Sequence, residues 1–250
     1  MEPDETTRSR IRKQFLHEAL VWRQLKHPNV LPLLGVSTDV FLPSESFCLI
    51  SPWMSNGDIV AYLKKKPDHS VFLALSEIAS GLYYLHSRDP PIIHGDIRGG
   101  NILVDDNSHC CLADFGLALV ATESQPWSVA SSTGNSGKGA TRWMAPECLN
   151  PKPASLSNTS RDVYALGCTI VEILTQKMPF PEYKDLAVIF RVLEGERPPR
   201  PDSNWCTEIL WSLTTRCWAQ RSEDRPSIKE VYADLKDLDL NYLLTTYRNK

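Results

Sequence analysis

Apolar positions in this chain recur at two spacings. Ile11, Phe15, Trp22 and Leu25, with Glu18 among them, fall at offsets of four, three, four and three. That spacing predicts one face of a helix. Glu18 is out of character on such a stripe, because a buried carboxylate without a partner is costly. From spacing alone, its stem can simply pack at the rim with its head in water. His27-Pro28-Asn29 ends this helix, since proline disfavours α geometry in the residue before it. Val30 to Val36 and Phe47 to Ile50 read as two strands. Asn56-Gly57-Asp58 reads as a turn that caps a short helix. Val71, Leu75, Ile78, Leu82 and Leu85 repeat the four-three spacing and predict a long buried helix.

Two short apolar runs follow, Ile102-Leu103-Val104 and Cys111-Leu112-Ala113, with Asn107-Ser108 between them, and they predict a small hairpin. Residues 117–140 are rich in Ser, Thr and Gly, contain no Tyr, and read as a loop. Asp162 then opens an apolar helix carrying Val163, Leu166, Ile170 and Ile173. Further helices are expected near Leu186 to Leu193, Ile209 to Trp218 and Ile228 to Leu238. Residues 1–9 are polar, and a frayed end is expected there.

Composition narrows the class. The 250 residues suffice for one large domain or two lobes, and 42% hydrophobic content supplies a packed core. The net charge of -3 carries no bulk basic character, so neither nucleic acid nor an anionic membrane is an expected partner. The seven cysteines are odd in number and lack any Cys-x-x-Cys, which points to reduced thiols and a cytoplasmic setting. No signal peptide and no apolar run of membrane-spanning length is visible.

The chemistry concentrates around the hairpin. Asp96 is followed five residues later by Asn101, and thirteen residues after that comes Asp114-Phe115-Gly116. The hairpin brings these three side chains to one edge. Asn101 and Asp114 offer hard oxygens suited to Mg²⁺, which takes few protein ligands plus substrate phosphates. Asp96 is left to accept a proton from an attacking hydroxyl.

In these residues the chain resembles the protein kinase family, whose pattern is H-R-D-L-x-x-x-N, then D-F-G, then A-P-E. Here the series is His94-Gly95-Asp96-Ile97 with Asn101, Asp114-Phe115-Gly116 and Ala145-Pro146-Glu147. The resemblance covers about residues 11–236. It implies an α+β, protein-kinase-like fold with a mostly helical large lobe over 55–238. Residues 11–54 would form a truncated small lobe of one helix and about two strands, with the hinge, and 239–250 a C-terminal tail. It also implies Mg·ATP bound between the hinge, through the Met54 backbone N–H, and Asp114. Asn101 and Asp114 would hold the metal, Asp96 would take the acceptor's proton, and Arg98 would neutralise the transferred phosphoryl group. Glu18 would pair with a strand Lys that holds the ATP phosphates. Asp162 would bind the catalytic-loop backbone, and Arg225 would pair with Glu147. The partners implied are ATP and a protein substrate.

The pattern departs from the family at three places. Gly95 stands where the family has Arg, which makes switching by a phosphate in residues 117–140 less expected; a backbone position needing freedom is the plain reading of Gly95. Trp143-Met144 resembles tyrosine kinases and the tyrosine-kinase-like group of Ser/Thr kinases; Ala140 and Arg98 lean to the former, the general sequence style to the latter. Ser/Thr transfer is expected, with Tyr as the alternative. No Gly-x-Gly-x-x-Gly and no Val-Ala-Ile-Lys precedes the first helix. Three readings follow: a kinase whose first strands are missing from this sequence, a pseudokinase acting as a scaffold, and a small-molecule phosphotransferase. The segment through Ala145-Pro146-Glu147 and the Asp162 helix argues against the last.

Overall fold

The computed structural model describes residues 13, 15–16, 18–37, 48–115, 118–120, 140–149 and 159–248. The expected frayed end, Ile11, Phe47, Gly116 and the hydroxyls of residues 122–136 lie outside them.

The chain is helical over 18–23 (α1), with Val21 and Trp22 buried. The helix expected to run to His27-Pro28 ends at Arg23, where Gln24 N–H and Leu25 N–H close tighter turns onto the Val21 and Trp22 carbonyls at 3.2 and 3.0 Å. Two three-residue strands follow, β1 (Gly35–Ser37) and β2 (Cys48–Ile50), antiparallel with Gly35 opposite Ile50. The strand expected from Val30 therefore begins at Gly35. The backbone of Asn29 and Leu31 is spent elsewhere: Leu31 N–H donates to the Leu112 carbonyl at 2.9 Å, and Leu112 N–H to that of Asn29 at 3.0 Å. Pro32, which lacks an N–H, separates this contact from β1.

Helix α2 (Ile59–Lys65) is capped by Asp58, whose side chain accepts from Ala61 N–H at 2.8 Å. Helix α3 (Val71–His86) is capped by Ser70 and buries ten of its residues. Strand β3 (Ile92–Ile93) pairs with β6 (Leu119–Val120), and β4 (Ile102–Val104) with β5 (Cys110–Leu112), both antiparallel. The large lobe continues with α4 (Pro146–Leu149), α5 (Ser160–Thr175), α6 (Asp185–Leu193), α7 (Glu208–Cys217) and α8 (Ile228–Arg248). Residues 161–173 of α5 are buried without interruption, so α5 is the axis of the lobe.

Residues beyond Leu238, expected as a tail, are helical through Arg248. The reason is packing: Tyr242 lies 5.7 Å from the Phe72 ring of α3 and 5.0 Å from Trp205. Such aromatic contacts add about 0.5–1.5 kcal/mol beyond burial. Arg225 meets Glu147 in a two-pronged pair, at 2.6 and 2.7 Å, and its side chain is 0% exposed. A planar fork matches a carboxylate in this way where a lysine cannot. All seven cysteines are free thiols. Among the described residues no helix is long and apolar enough to cross a membrane.

Candidate active site

The catalytic loop, residues 94–101, leaves β3 and enters β4 with little regular structure of its own, and side chains of α5 hold it. Asp162 accepts from His94 N–H at 2.8 Å and Gly95 N–H at 2.9 Å, and from the His86 Nε2 at 2.9 Å. With three donors around it, the fully buried Asp162 carboxyl stays below its ordinary range despite burial, held down first by His86. One helical face further on, Thr169 Oγ1 donates to the Ile97 carbonyl at 3.2 Å. Glu172 accepts from Gly99 N–H at 2.8 Å. Gly95 has φ +83°, a conformation that favours glycine, which gives its presence a backbone reason.

His94 is fully buried, and burial pushes its pKa down. Its partners assign the neutral tautomer. Nε2 donates to the Ala113 carbonyl at 3.1 Å, and Nδ1 accepts the Asp96 N–H at 3.3 Å. The ring thereby ties the catalytic loop to the residue before Asp114.

Asp96, Arg98 and Asn101 come together in the structure. Asn101 Nδ2 donates to the Asp96 carbonyl at 2.9 Å and to its Oδ2 at 2.8 Å, and Arg98 Nε lies 3.3 Å from the same Oδ2. Both Asp96 atoms facing Asn101 are acceptors, so the amide nitrogen must face them. The Asn101 Oδ1 consequently turns away, available to a hard cation. Ala113 N–H donates to the Asn101 backbone carbonyl at 2.9 Å, which places Asp114 next along the same edge. Asp114 is exposed and has φ +64°. That conformation is uncommon for a residue with a Cβ, and such residues cluster at functional sites. Phe115 beside it is buried under Trp22, at 5.5 Å, and His94, at 5.1 Å.

Glu18 is half-buried on α1. Burial first, and the Asp114 carboxylate second, push its pKa up to about 7. Among the described residues no cation acts against this rise, and the strand Lys that the family resemblance supplies as its partner has no counterpart among them. Glu18 is therefore near enough to Asp114 to feel its charge. Met54, half-buried, accepts at its carbonyl from Gly57 N–H at 3.1 Å. Glu172 and Thr169 were not singled out by the sequence. Their signal lies in the sequence: two polar residues three apart within the otherwise largely apolar stretch 163–174.

A model of the family described as protein tyrosine and serine/threonine kinase matches residues 2–235. The chain belongs to the protein kinase family. Its relatives include the Serine/threonine/tyrosine-protein kinase HT1 of Arabidopsis thaliana, 33% identical over 94% of this chain and 57% of that protein. The Probable serine/threonine-protein kinase drkD of Dictyostelium discoideum is 33% identical over 83% of this chain and 15% of that protein. The Receptor-interacting serine/threonine-protein kinase 2 of Bos taurus is 29% identical over 90% of this chain and 43% of that protein. The chain thus spans little more than half the length of the first of these kinases and less of the others.

Proposed function

We propose that this kinase chain transfers the γ-phosphoryl group of ATP to a Ser or Thr hydroxyl of a protein, with Tyr as the alternative acceptor. The observation that carries the reading is the Asp96, Arg98 and Asn101 cluster, joined through Ala113 to Asp114. Its donor set fits Mg²⁺: the exposed Asp114 carboxylate and the Asn101 amide oxygen not used on Asp96. Bound there, the metal supplies charge neutralisation to the phosphates. The chain's own groups do the rest. Asp96 receives the hydroxyl proton, held in place by Asn101 and by its bonded backbone. Arg98 stands ready to offset charge at the transferred group, and the Met54 N–H is the hinge donor for the adenine. Because phosphoryl transfer is mostly positioning and electrostatics, a few groups held in register carry most of it. The relatives named serine/threonine kinases, in Dictyostelium discoideum and Bos taurus, support Ser/Thr acceptors, and free thiols throughout support a cytoplasmic setting.

The test is incubation of the purified chain with Mg·ATP and a protein rich in Ser, Thr and Tyr, with modified residues mapped by mass spectrometry. Phosphoserine or phosphothreonine should appear, and Asp96→Asn should cut the rate about 10²–10⁴-fold, the usual worth of a general base. Nucleotide binding without transfer would instead favour the scaffold reading, and equal transfer by Asp96→Asn would remove the proposed role of Asp96.

A further inference from the structure

Between the catalytic loop and the segment 140–145 lies a small cavity of about 30 Å³. Asp96 and Ile97 form one wall; Ala140, Trp143 and Ala145 form the other. Glu172 touches the elements behind both walls. Its Oε2 accepts the Gly99 N–H at 2.8 Å and the Trp143 indole Nε1–H at 3.0 Å. One oxygen atom therefore bonds the turn that carries Arg98 and the segment that leads into Ala145-Pro146-Glu147.

We infer that Glu172 is a positioning residue that sets the spacing of these two walls, and so the distance between the seat of the protein acceptor and Asp96.

Four further observations support this. Glu172 is only 8% exposed, so a carboxylate there is costly unless it is bonded, and it takes two donors on one atom. Gly99 is shaped for it: a Cβ at that position would lie 3.0 Å from the Glu172 carboxyl carbon and 2.5 Å from Val60 Cγ2. Any side chain at 99 would push the loop off its acceptor. Arg98 adds attraction from the same side, while burial pushes the Glu172 pKa up. Arg98 thus pairs with Asp96 at 3.3 Å and also attracts Glu172 electrostatically. Thr169, one turn earlier on α5, fixes the Ile97 carbonyl and gives the loop side of the bridge a second anchor.

The inference rests on the kinase reading for its consequence but not for its physical test. The Gly99 amide and the Trp143 indole N–H are resolved as separate signals in a proton–nitrogen correlation spectrum of the purified chain. Because they share one acceptor atom, Trp143→Phe should shift the Gly99 amide and hasten its exchange with solvent. Glu172→Leu should move both signals. Glu172→Gln keeps a carbonyl that can accept from both donors and should restore them. In phosphotransfer, Glu172→Leu should lower kcat about 10–100-fold, the cost of misplacing reacting groups by about 1 Å, and raise KM for the protein acceptor while KM for ATP stays level. Glu172→Gln should lie close to the parent. A Gly99 amide indifferent to Trp143→Phe in the folded chain overturns the bridge. Equal changes in both KM values would show a general loss of structure and overturn the positioning role. A parent chain without transfer would overturn the functional reading, and the spectra alone would then decide whether the bridge exists.

Discussion

The catalytic loop and the β1–β2 pair are held in opposite ways. The loop has almost no ladder of its own, yet Asp162, Thr169 and Glu172 along α5 fasten it at four backbone groups, and each of those side chains is buried. The strand pair has a regular ladder but only three residues a side, with Leu34 66% and Val36 54% exposed. A two-stranded ladder alone is marginal in water, whereas charged hydrogen bonds inside a packed lobe act in a low dielectric, where their loss is expensive. The lesson is that the large lobe positions the groups of the candidate chemistry. The small-lobe residues join it mainly along residues 26–31, through the Asn29–Leu31 contact with Leu112, bonds of Pro28 and Asn29 to Cys111 and Cys110, and the packing of Lys26 and His27 on Tyr84, and through the Trp22 contact with Phe115.

Breaking the stronger region should have the larger effect. Asp162→Ala leaves three donors without an acceptor inside the lobe. It should cost about 3–5 kcal/mol, the range for breaking a buried charged network, read from the urea midpoint. A loss under 1 kcal/mol, about the worth of an exposed pair, would mean that α5 does not hold the loop. Trp22→Ala should cost about 3 kcal/mol at most sites of this burial. Its effect should stay within α1, Phe115 and residues 27–31; slowed or hastened exchange at His94 and Gly95 would show that the small-lobe residues also set the loop.

A pH effect of smaller size sharpens the same contrast. Burial holds the His94 pKa below its ordinary 6.5, so as pH falls below 6.5 the unfolded chain binds a proton that the folded chain refuses. The His94 contribution should therefore fall with acid in that window, against an opposite contribution from Glu18, whose pKa raised to about 7 favours the folded chain as pH falls; the lowered Asp162 pKa adds a loss further down. Urea midpoints of a Glu18→Gln chain, measured on either side of pH 6.5, isolate the His94 effect, and a midpoint that rises with acid in that background would contradict the buried neutral ring. Least affected should be Leu34→Ser, within about 0.5 kcal/mol, as for other exposed sites.

Much of this was legible in the sequence. The four-three spacing located α3 and α5, and the Asp96, Asn101 and Asp114 series located the site edge. Four features were not legible, each for a physical reason. The strand expected from Val30 starts at Gly35 because its first residues pair with Leu112, eighty residues away, and local periodicity carries no record of a distant partner. For the same reason the pairing of Ile92–Ile93 with Leu119–Val120 was not anticipated. The helix past Leu238 rests on Tyr242 finding Phe72 and Trp205, a contact that the mixed polarity of residues 239–248 hides. Glu172 could be seen as an acid among apolar neighbours, but its two donors come from segments 29 and 73 residues away.

The measurement that tests the account most directly is amide hydrogen exchange on the unmodified chain, read residue by residue. If α5 holds the candidate site, the amides of His94, Gly95 and Gly99 should exchange with the slow core of the large lobe. Those of Val36 and Leu49 should open far more readily, as expected for a short exposed ladder. Loop amides that exchange as fast as those of β1 and β2, or faster, would contradict the claim that the large lobe preassembles the catalytic groups.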